Sequence, residues 1–230
     1  MSKTVAIHQP NFFPWMGYFY KIVNCDIFVF HDDTLLSQKD VTRRVRFNSS
    51  DGSWWATVQL DKKEKTSDIK DVIISGDNHW RVKLEKRITH TYEKAPYFDE
   101  LSTVFKECIN YSTHHLSEFN IFGVKQIANL LKAQPFFVRS SDLSLNSTST
   151  QKEIDTLKAL GADTYLSGKG AVAYQQDALF NEAGLKLIYS EFKEEHFRQV
   201  HGSFVGGLSI WDVLFNIGVE KTRKLLKSNE

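Results

Sequence analysis

The first 33 residues constrain the fold more than any other stretch of the chain. A short apolar run at residues 4–7 precedes a loop in which Pro10 and Pro14 exclude regular structure. A helix is predicted from Pro14, since proline fits the first turn of a helix. The apolar run at residues 27–30 predicts a buried strand. Two strands joined by one helix are expected to lie parallel with a right-handed crossover.

Both predicted strands lead into residues that can carry chemistry. His8 and Gln9 follow the first strand, and His31, Asp32 and Asp33 follow the second. Ligands of parallel sheets bind beyond the carboxyl ends of the strands. We therefore expect both polar groups to face one crevice, and this is the main physical argument for a site here.

The middle of the chain predicts an insertion and a helical segment. Alternating residues on both sides of a turn predict a β-hairpin over 42–60, inside an insertion of about residues 40–75. The insertion continues with a lysine-rich connection, residues 61–71, which we expect to be mobile, and a short strand at 72–74. A helical segment of about residues 79–132 follows, with helices predicted over 79–92, 97–111 and 116–131.

The C-terminal half returns to an alternation of strands and helices, which is typical of a parallel sheet. We therefore predict one α/β domain over residues 1–230, with a Rossmann-like parallel sheet, the hairpin insertion and the helical segment. Strands are predicted at 136–138, 164–166 and 185–189, and helices at about 150–160, 174–183 and 209–227.

Composition narrows the class of protein. A hydrophobic content of 41% and a charged content of 25% are typical of a globular chain. The net charge of +1 gives no reason to expect nucleic acid or an anionic membrane as partner. Cys25 and Cys108 lie far apart, which indicates a reducing compartment and neither a disulfide scaffold nor a structural zinc. Without a signal segment or an apolar run of about 20 residues, we expect a cytoplasmic protein.

His8, Gln9 and Asn11 form the first candidate site. A neutral imidazole can act as a general base near neutral pH, and Gln and Asn can hold a sugar or an amide by paired hydrogen bonds. The alternative is that His8 satisfies a neighbouring carbonyl at the strand end. Asp32 favours the functional interpretation, since a carboxylate can orient a histidine.

Asp32 and Asp33 form the second candidate pair. They can orient His8, hydrogen-bond sugar hydroxyls or bind Mg²⁺, and the alternative is a pair that caps a loop. Two adjacent carboxylates are too few and too common to indicate a metal site, so no metal is predicted.

Two basic stretches are candidates for binding phosphate. Arg43 and Arg44 precede the hairpin turn, and guanidinium groups match phosphate oxygens bidentately, but an exposed hairpin face is an equal alternative. The loop at residues 167–170, Ser-Gly-Lys-Gly, can hold phosphate through backbone N–H groups ahead of a helix, although such turns are common. It lacks the GxxxxGK[ST] spacing of a P-loop, and GxSxG, HExxH and GxGxxG are also absent from the chain.

Four motifs together resemble one protein family. They are IHQPNFFPWMGY at residues 7–18, FVFHDD at 28–33, LGADTYLSG at 160–168 and LSIWDVLFNIG at 208–218. The chain resembles the WbqC-like family over nearly its whole length. Members of that family are often associated with O-antigen and other surface-polysaccharide gene clusters. The resemblance therefore implies a step in making or modifying an activated sugar, such as transfer of an acyl or aminoacyl group to an amino sugar.

The N-terminal stretch is also distantly similar to the HIGH-type nucleotide-binding α/β folds, which include pantothenate synthetase. In those enzymes an H-x-G-H element holds the phosphates of ATP. Trp15 and Tyr18 occupy the corresponding positions around Gly17, so both histidines are missing. The similarity implies the fold, while this departure argues against activation by ATP.

The leading hypothesis is a cytoplasmic transferase that uses an activated acyl or aminoacyl donor and a nucleotide-linked amino sugar. His8, oriented by Asp32, is expected to take the proton from the attacking amine. Gln9 and Asn11 are expected to stabilise the oxyanion, the basic residues to hold phosphates, and Trp15 or Tyr18 to stack on a ring. The predicted substrate-binding residues are Gln9, Asn11, Trp15, Tyr18, Asp33, Arg43, Arg44, Ser167 and Lys169. Two alternatives stay open, a glycosyltransferase with a nucleotide-sugar donor and a non-catalytic sugar-nucleotide or glycan-binding accessory protein.

Overall fold

The computed structural model describes residues 2–36, 41–61, 67–172 and 175–227. Its strands are β1 Thr4–His8, β2 Ile27–Phe30, β3 Arg44–Phe47, β4 Trp54–Thr57, β5 Phe136–Arg139, β6 Thr164–Ser167 and β7 Lys186–Tyr189. Its helices are α1 Met16–Val23, α2 His79–Tyr92, α3 Phe98–Ile109, α4 Leu116–Leu130, α5 Ser149–Ala159, α6 Asp177–Glu182 and α7 Ile210–Lys227.

Within these ranges, five strands form a parallel sheet in the order β5-β2-β1-β6-β7, and β3 pairs with β4 as an antiparallel hairpin. The chain builds the sheet from β1 outward through β2 and β5, then crosses to the other side of β1 to add β6 and β7. The direction of winding therefore reverses between β1 and β6, and such a switch point leaves a crevice beyond the strand ends. The predicted α/β fold with a Rossmann-like parallel sheet and a hairpin is confirmed.

Alternate residues of β1 enter two different core layers, as the pleat of a strand requires. Val5 and Ile7 pack with Ile154 and Leu157, which come from α5. Ala6 belongs to the larger cluster on the opposite face, which includes residues of α1, α4 and α7. His8 follows in the same alternation, so its ring lies on the α1 side of the sheet.

Several of the predicted boundaries differ in the structure. Residues 72–74 do not form a strand, because Ile73 and Ile74 make only isolated bridges, to His115 and Leu60. The first helix begins at Met16 rather than at Pro14, since Trp15 still has an extended backbone. Helix α6 begins at Asp177; the predicted start at 174 and part of the predicted mobile connection, 62–66, lie outside the described residues.

The last helix is interrupted by a glycine. Gly218 has a φ of 75° and a ψ of 172°, so α7 changes direction there. Before this kink, the buried carboxylate of Asp212 accepts a 2.7 Å hydrogen bond from the Tyr92 hydroxyl, which ties α7 to α2. In the described part of the chain, no helix has the length and apolar character needed to cross a lipid bilayer.

Candidate functional site

A cavity of about 550 Å³ opens at the switch point between β1 and β6. This volume lies within the roughly 300–1,000 Å³ of typical small-molecule sites. The walls come from β1, α1, the segment after β2, α5, β6 and the turn that follows β6, so the predicted crevice exists where the sheet topology requires it. The side chains and glycines that supply its polar or open surface are His8, Gln9, Lys21, His31, Thr34, Ser149, Thr150, Glu153, Tyr165, Ser167, Gly168 and Gly170.

The half-buried His8 ring is fixed by the backbone that follows it. Its Nδ1 lies 3.2 Å from the carbonyl oxygen of Gln9, and the Tyr18 hydroxyl donates to the same oxygen at 3.0 Å. A carbonyl can only accept hydrogen bonds, so the neutral ring carries its proton on Nδ1. Nε2 therefore keeps its lone pair, and this is the nitrogen that can take a proton from a ligand.

The surroundings of His8 hold the ring neutral. Burial lowers its pKa well below the usual value, and the nearby charges of Lys21 and His31 act in the same direction, while the Gln9 carbonyl opposes them. The Tyr18 ring covers one side of the imidazole, with ring centroids 4.7 Å apart. His8 is thus an unprotonated imidazole at physiological pH, which is the form that a general base requires.

Lys21 is a polar cavity residue that the predicted site did not include. Its side chain is buried in α1, and its Nζ lies 3.5 Å from the Ile7 carbonyl oxygen. Burial lowers the pKa of this amine to about 7, although the charges of Cys25 and Glu153 favour the protonated form. The signal in the sequence was a lysine three residues after Tyr18, between apolar neighbours on the buried face of a helix.

The opposite wall is a hydrogen-bonded chain of side chains. Ser167 Oγ donates to Gln175 Oε1 at 2.9 Å, and Gln175 Nε2 donates to the Glu153 carboxylate at 2.8 Å. The Tyr165 hydroxyl donates to the other oxygen of Glu153 at 3.4 Å. Burial raises the pKa of Glu153 to about 6, so this wall carries a weakly acidic group. Ser167 lines the cavity as predicted, with its hydroxyl proton directed to Gln175.

Asp32 does not pair with His8, contrary to the prediction from sequence. Its fully buried carboxylate accepts from Arg139 Nε at 2.7 Å and from the backbone N–H and hydroxyl of Ser141, each at 3.1 Å. The side chain points across the sheet edge because β5 lies beside β2, and β5 ends in this arginine. Asp32 thus anchors the ends of two strands, and the Gln9 carbonyl takes over its predicted role of orienting His8.

Asp33 also has protein partners. It forms a 2.8 Å ion pair with Lys152, and its carboxylate lies 3.6 Å from His31 Nε2. This cluster lies beside the cavity through His31, which lines it, rather than inside it. Among the described residues, no group of three or more His, Cys, Asp or Glu is arranged to hold a metal ion.

Several predicted ligand contacts are instead packing or surface positions. Asn11 is buried and accepts from the Thr42 hydroxyl at 3.5 Å. Tyr18 is buried beneath His8, where it supports the ring rather than a ligand. Trp15 is 41% exposed, and its ring meets the edge of Phe192 outside the cavity lining.

The predicted phosphate residues lie at unequal distances from the cavity. Arg43 and Arg44 belong to the hairpin and are not among the residues that line it, and the Arg44 guanidinium lies 4.4 Å from the centre of the Trp55 ring. Lys169 is exposed in the turn after β6, between Gly168 and Gly170, which do line the cavity. The structure therefore brings together His8, Gln9, Ser167 and the turn that carries Lys169, and it leaves the arginines outside.

Comparison with known proteins agrees with the motifs distributed along this fold. Residues 9–224 match the WbqC-like protein family. The chain belongs to this family. The WbqC-like chain is also 28% identical over 225 residues to an uncharacterized protein of Mycobacterium tuberculosis, with 95% of each chain covered. No solved structure matches it.

Proposed function

We propose that this WbqC-like protein is a transferase that moves an acyl or aminoacyl group onto the amine of a nucleotide-linked amino sugar. The observation that carries the proposal is the neutral His8 imidazole, held by the Gln9 carbonyl with Nε2 unprotonated, in a cavity of ligand size. The family resemblance supports a place in the synthesis of surface polysaccharides, and we place the reaction in the cytoplasm, where activated sugars are made.

The chemistry requires one proton transfer that His8 can perform. As the amine nitrogen attacks the acyl carbon, a new C–N bond forms and the nitrogen must lose a proton. Nε2 accepts that proton, and the imidazolium then returns it to the leaving group as the bond between acyl group and donor breaks. Such general acid–base assistance is worth roughly 10²–10⁴-fold in rate.

Gln9 is the proposed partner for the oxyanion. Its side-chain oxygen lies 3.4 Å from the Thr42 hydroxyl, whose single proton is shared with Asn11, so this end of the amide faces Thr42 and the NH₂ group is the end that can donate. Gln9 also lines the cavity beside His8. A donor held in this way stabilises charge that develops only in the transition state.

A glycosyltransferase with a nucleotide-sugar donor is the second candidate. Arg43 and Arg44, the residues expected to clamp its diphosphate leaving group, lie outside the cavity lining, but both reactions need a phosphate contact, so the products decide between them. The products separate the two reactions, since glycosyl transfer releases a nucleoside diphosphate, whereas acyl transfer leaves the nucleotide intact and the sugar heavier.

The test is a mass-spectrometric screen of nucleotide-linked amino sugars, each incubated with acyl-CoA and aminoacyl donors. We expect a heavier amino-sugar nucleotide with the wild-type protein, and a loss of roughly 10²–10⁴-fold in rate with His8→Ala at unchanged melting temperature. His90→Ala is the matched control, because that side chain is 90% exposed on α2. Normal turnover by His8→Ala would refute the base, nucleoside diphosphate release would indicate glycosyl transfer, and tight binding without turnover would indicate an accessory protein.

A further inference from the structure

Lys21 places a buried amine in the cavity, and none of the described residues forms an ion pair with it. The side chain is only 4% exposed, and among the described residues its Nζ has one hydrogen-bond acceptor, the Ile7 carbonyl, at the long distance of 3.5 Å. In the ranges that the structure describes, the ion pairs do not include Lys21. Buried cations are normally paired, because removing a charge from water is costly. An amine that lines a cavity in this state is suited to an anion supplied by a ligand.

We propose that Lys21 Nζ binds a phosphoryl group of the substrate inside the switch-point cavity. This inference rests on the proposed function, because it assigns the phosphates of the nucleotide-linked substrate to Lys21 rather than to Arg43 and Arg44. It also names a binding residue that belongs to the helix after β1 and faces the turn that carries Lys169.

The turn after β6 shapes the space above the amine. A side-chain carbon on Gly168 would lie 3.9 Å from Lys21 Nζ, so the backbone of this turn passes directly over the amine. Gly168 and Gly170 both line the cavity without a side chain. A ligand can therefore approach the turn's backbone and the buried amine together, and a tetrahedral phosphoryl group has oxygens enough to contact both.

The groups that face Lys21 set its response to pH. Glu153 faces it from α5 and Cys25 from its own helix, and both favour the charged amine, while His8 from β1 is held neutral. The Glu153 carboxylate accepts hydrogen bonds from Tyr165 and Gln175 and forms no ion pair with Lys21 among the described residues, so it acts on the amine only through its field. Because burial lowers the pKa of Lys21 to about 7, the free protein carries a partly neutral amine above that pH. A bound phosphoryl group would favour the ammonium form, so binding should take up protons and should weaken as the pH rises.

The test is isothermal titration of the protein with inorganic pyrophosphate at pH 7.5 and 8.5, in two buffers of different ionisation enthalpy. We expect saturable binding with proton uptake for the wild type, and an affinity at least roughly tenfold lower without uptake for Lys21→Met. Lys186→Met is the control, because Lys186 is an exposed residue at the amino end of β7, at the far edge of the sheet. Lys21→Arg keeps a permanent charge and should bind without proton uptake.

Three results would overturn the inference: no pyrophosphate binding by the wild type, equal affinity in Lys21→Met, or equal competition by acetate, which would show a general anion site. Failure of the inference and failure of the proposed function are distinguishable. Pyrophosphate binding by His8→Ala without turnover of any amino sugar would leave Lys21 as the phosphate residue and refute the transferase. Turnover by Lys21→Met with an unchanged KM for the nucleotide sugar would refute Lys21 and leave the transferase standing.

Discussion

Arg139 Nε donates a 2.7 Å hydrogen bond to the carboxylate of Asp32, and this ion pair joins the end of β5 to the end of β2. Asp32 has no exposed surface, and the backbone N–H and hydroxyl of Ser141 donate to it as well. The contact fixes the outer strand of the sheet and the short turn after it, from which the chain enters α5. Through α5 this pair supports the cavity wall that contains Glu153 without reaching His8.

Asp32→Ala should therefore destabilise the fold. The substitution removes the acceptor of Arg139 Nε and of the Ser141 N–H and hydroxyl. Because Arg139 is 32% exposed, we expect a cost of about 2 kcal/mol, less than that of breaking a fully buried pair. Urea denaturation measures the change in unfolding free energy. Asp142→Ala is the control, since that residue is exposed in the same turn and should change stability by less than about 0.5 kcal/mol. Equal stability of the two variants would contradict a structural role for Asp32.

His8 should be neutral at pH 7, with its proton on Nδ1. The Gln9 carbonyl selects this tautomer, and burial lowers the pKa of the ring well below its usual value. As the pH falls below about 6.5, an unfolded chain takes up a proton on His8 before the folded chain does, so the contribution of His8 to stability falls with pH. Long-range ¹⁵N NMR of the imidazoles reports both tautomer and charge. A protonated ring or an Nε2–H tautomer at pH 7 would contradict the proposed base.

Lys21→Met should stabilise the protein, and the gain should shrink as the solution becomes more alkaline. The folded pKa of about 7 lies below the unfolded value of 10.5, so between these values the unfolded chain holds a proton that the folded chain has lost. Burial of the charged amine therefore lowers the free energy of unfolding by its full amount below pH 7. This cost decreases as the pH rises, by at most about 1.4 kcal/mol per pH unit. Denaturation of both proteins at pH 7.5, 8.5 and 9.5 measures it. A difference that is constant with pH would show that Lys21 keeps its ordinary pKa in the fold.

The elements that sequence predicted correctly are those with local signals. The apolar runs of β1 and β2 are buried strands, and the polar residues after them reach the same end of the sheet because parallel strands share their direction. The hairpin could also be predicted from a local signal, since its two strands flank one turn and their apolar and polar residues alternate. The switch point has no local signal in the sequence. It depends on the order of the strands in the sheet, in which the chain returns after β5 to pair β6 with β1.

The pairings inside the site were not visible in the same way. Asp32 and Arg139 are separated by 107 positions, and nothing local distinguishes this carboxylate from one that turns toward His8. In the sequence, Lys21 does not differ from any lysine on an amphipathic helix. Its burial depends on the packing of α1 against the rest of the fold. Arg43 and Arg44 were predicted to bind phosphate from their residue type and spacing, but they belong to the hairpin and do not line the cavity. Residue type and spacing thus predicted the position of the cavity at the sheet edge, while long-range packing determines which residues line it.

Replacing Gly218 at the kink of α7 should lower the free energy of unfolding. Its φ of 75° and ψ of 172° belong to a backbone region that is essentially restricted to glycine, and other residues pay about 1–3 kcal/mol to adopt it. A side-chain carbon there would also lie 2.7 Å from a ring carbon of Tyr97, so Gly218→Ala combines backbone strain with a steric contact.

A double-mutant comparison separates these two causes at Gly218. In a Tyr97→Ala background the contact is gone, and Gly218→Ala should still cost about 1–3 kcal/mol of unfolding free energy, because the backbone strain does not depend on the ring. Gly76→Ala is the matched control, since a side-chain carbon at that glycine has no neighbour within 4 Å. If Gly218→Ala were no more costly than Gly76→Ala by urea denaturation, α7 would be able to continue without the kink, and the conformation at Gly218 would not be required by the fold.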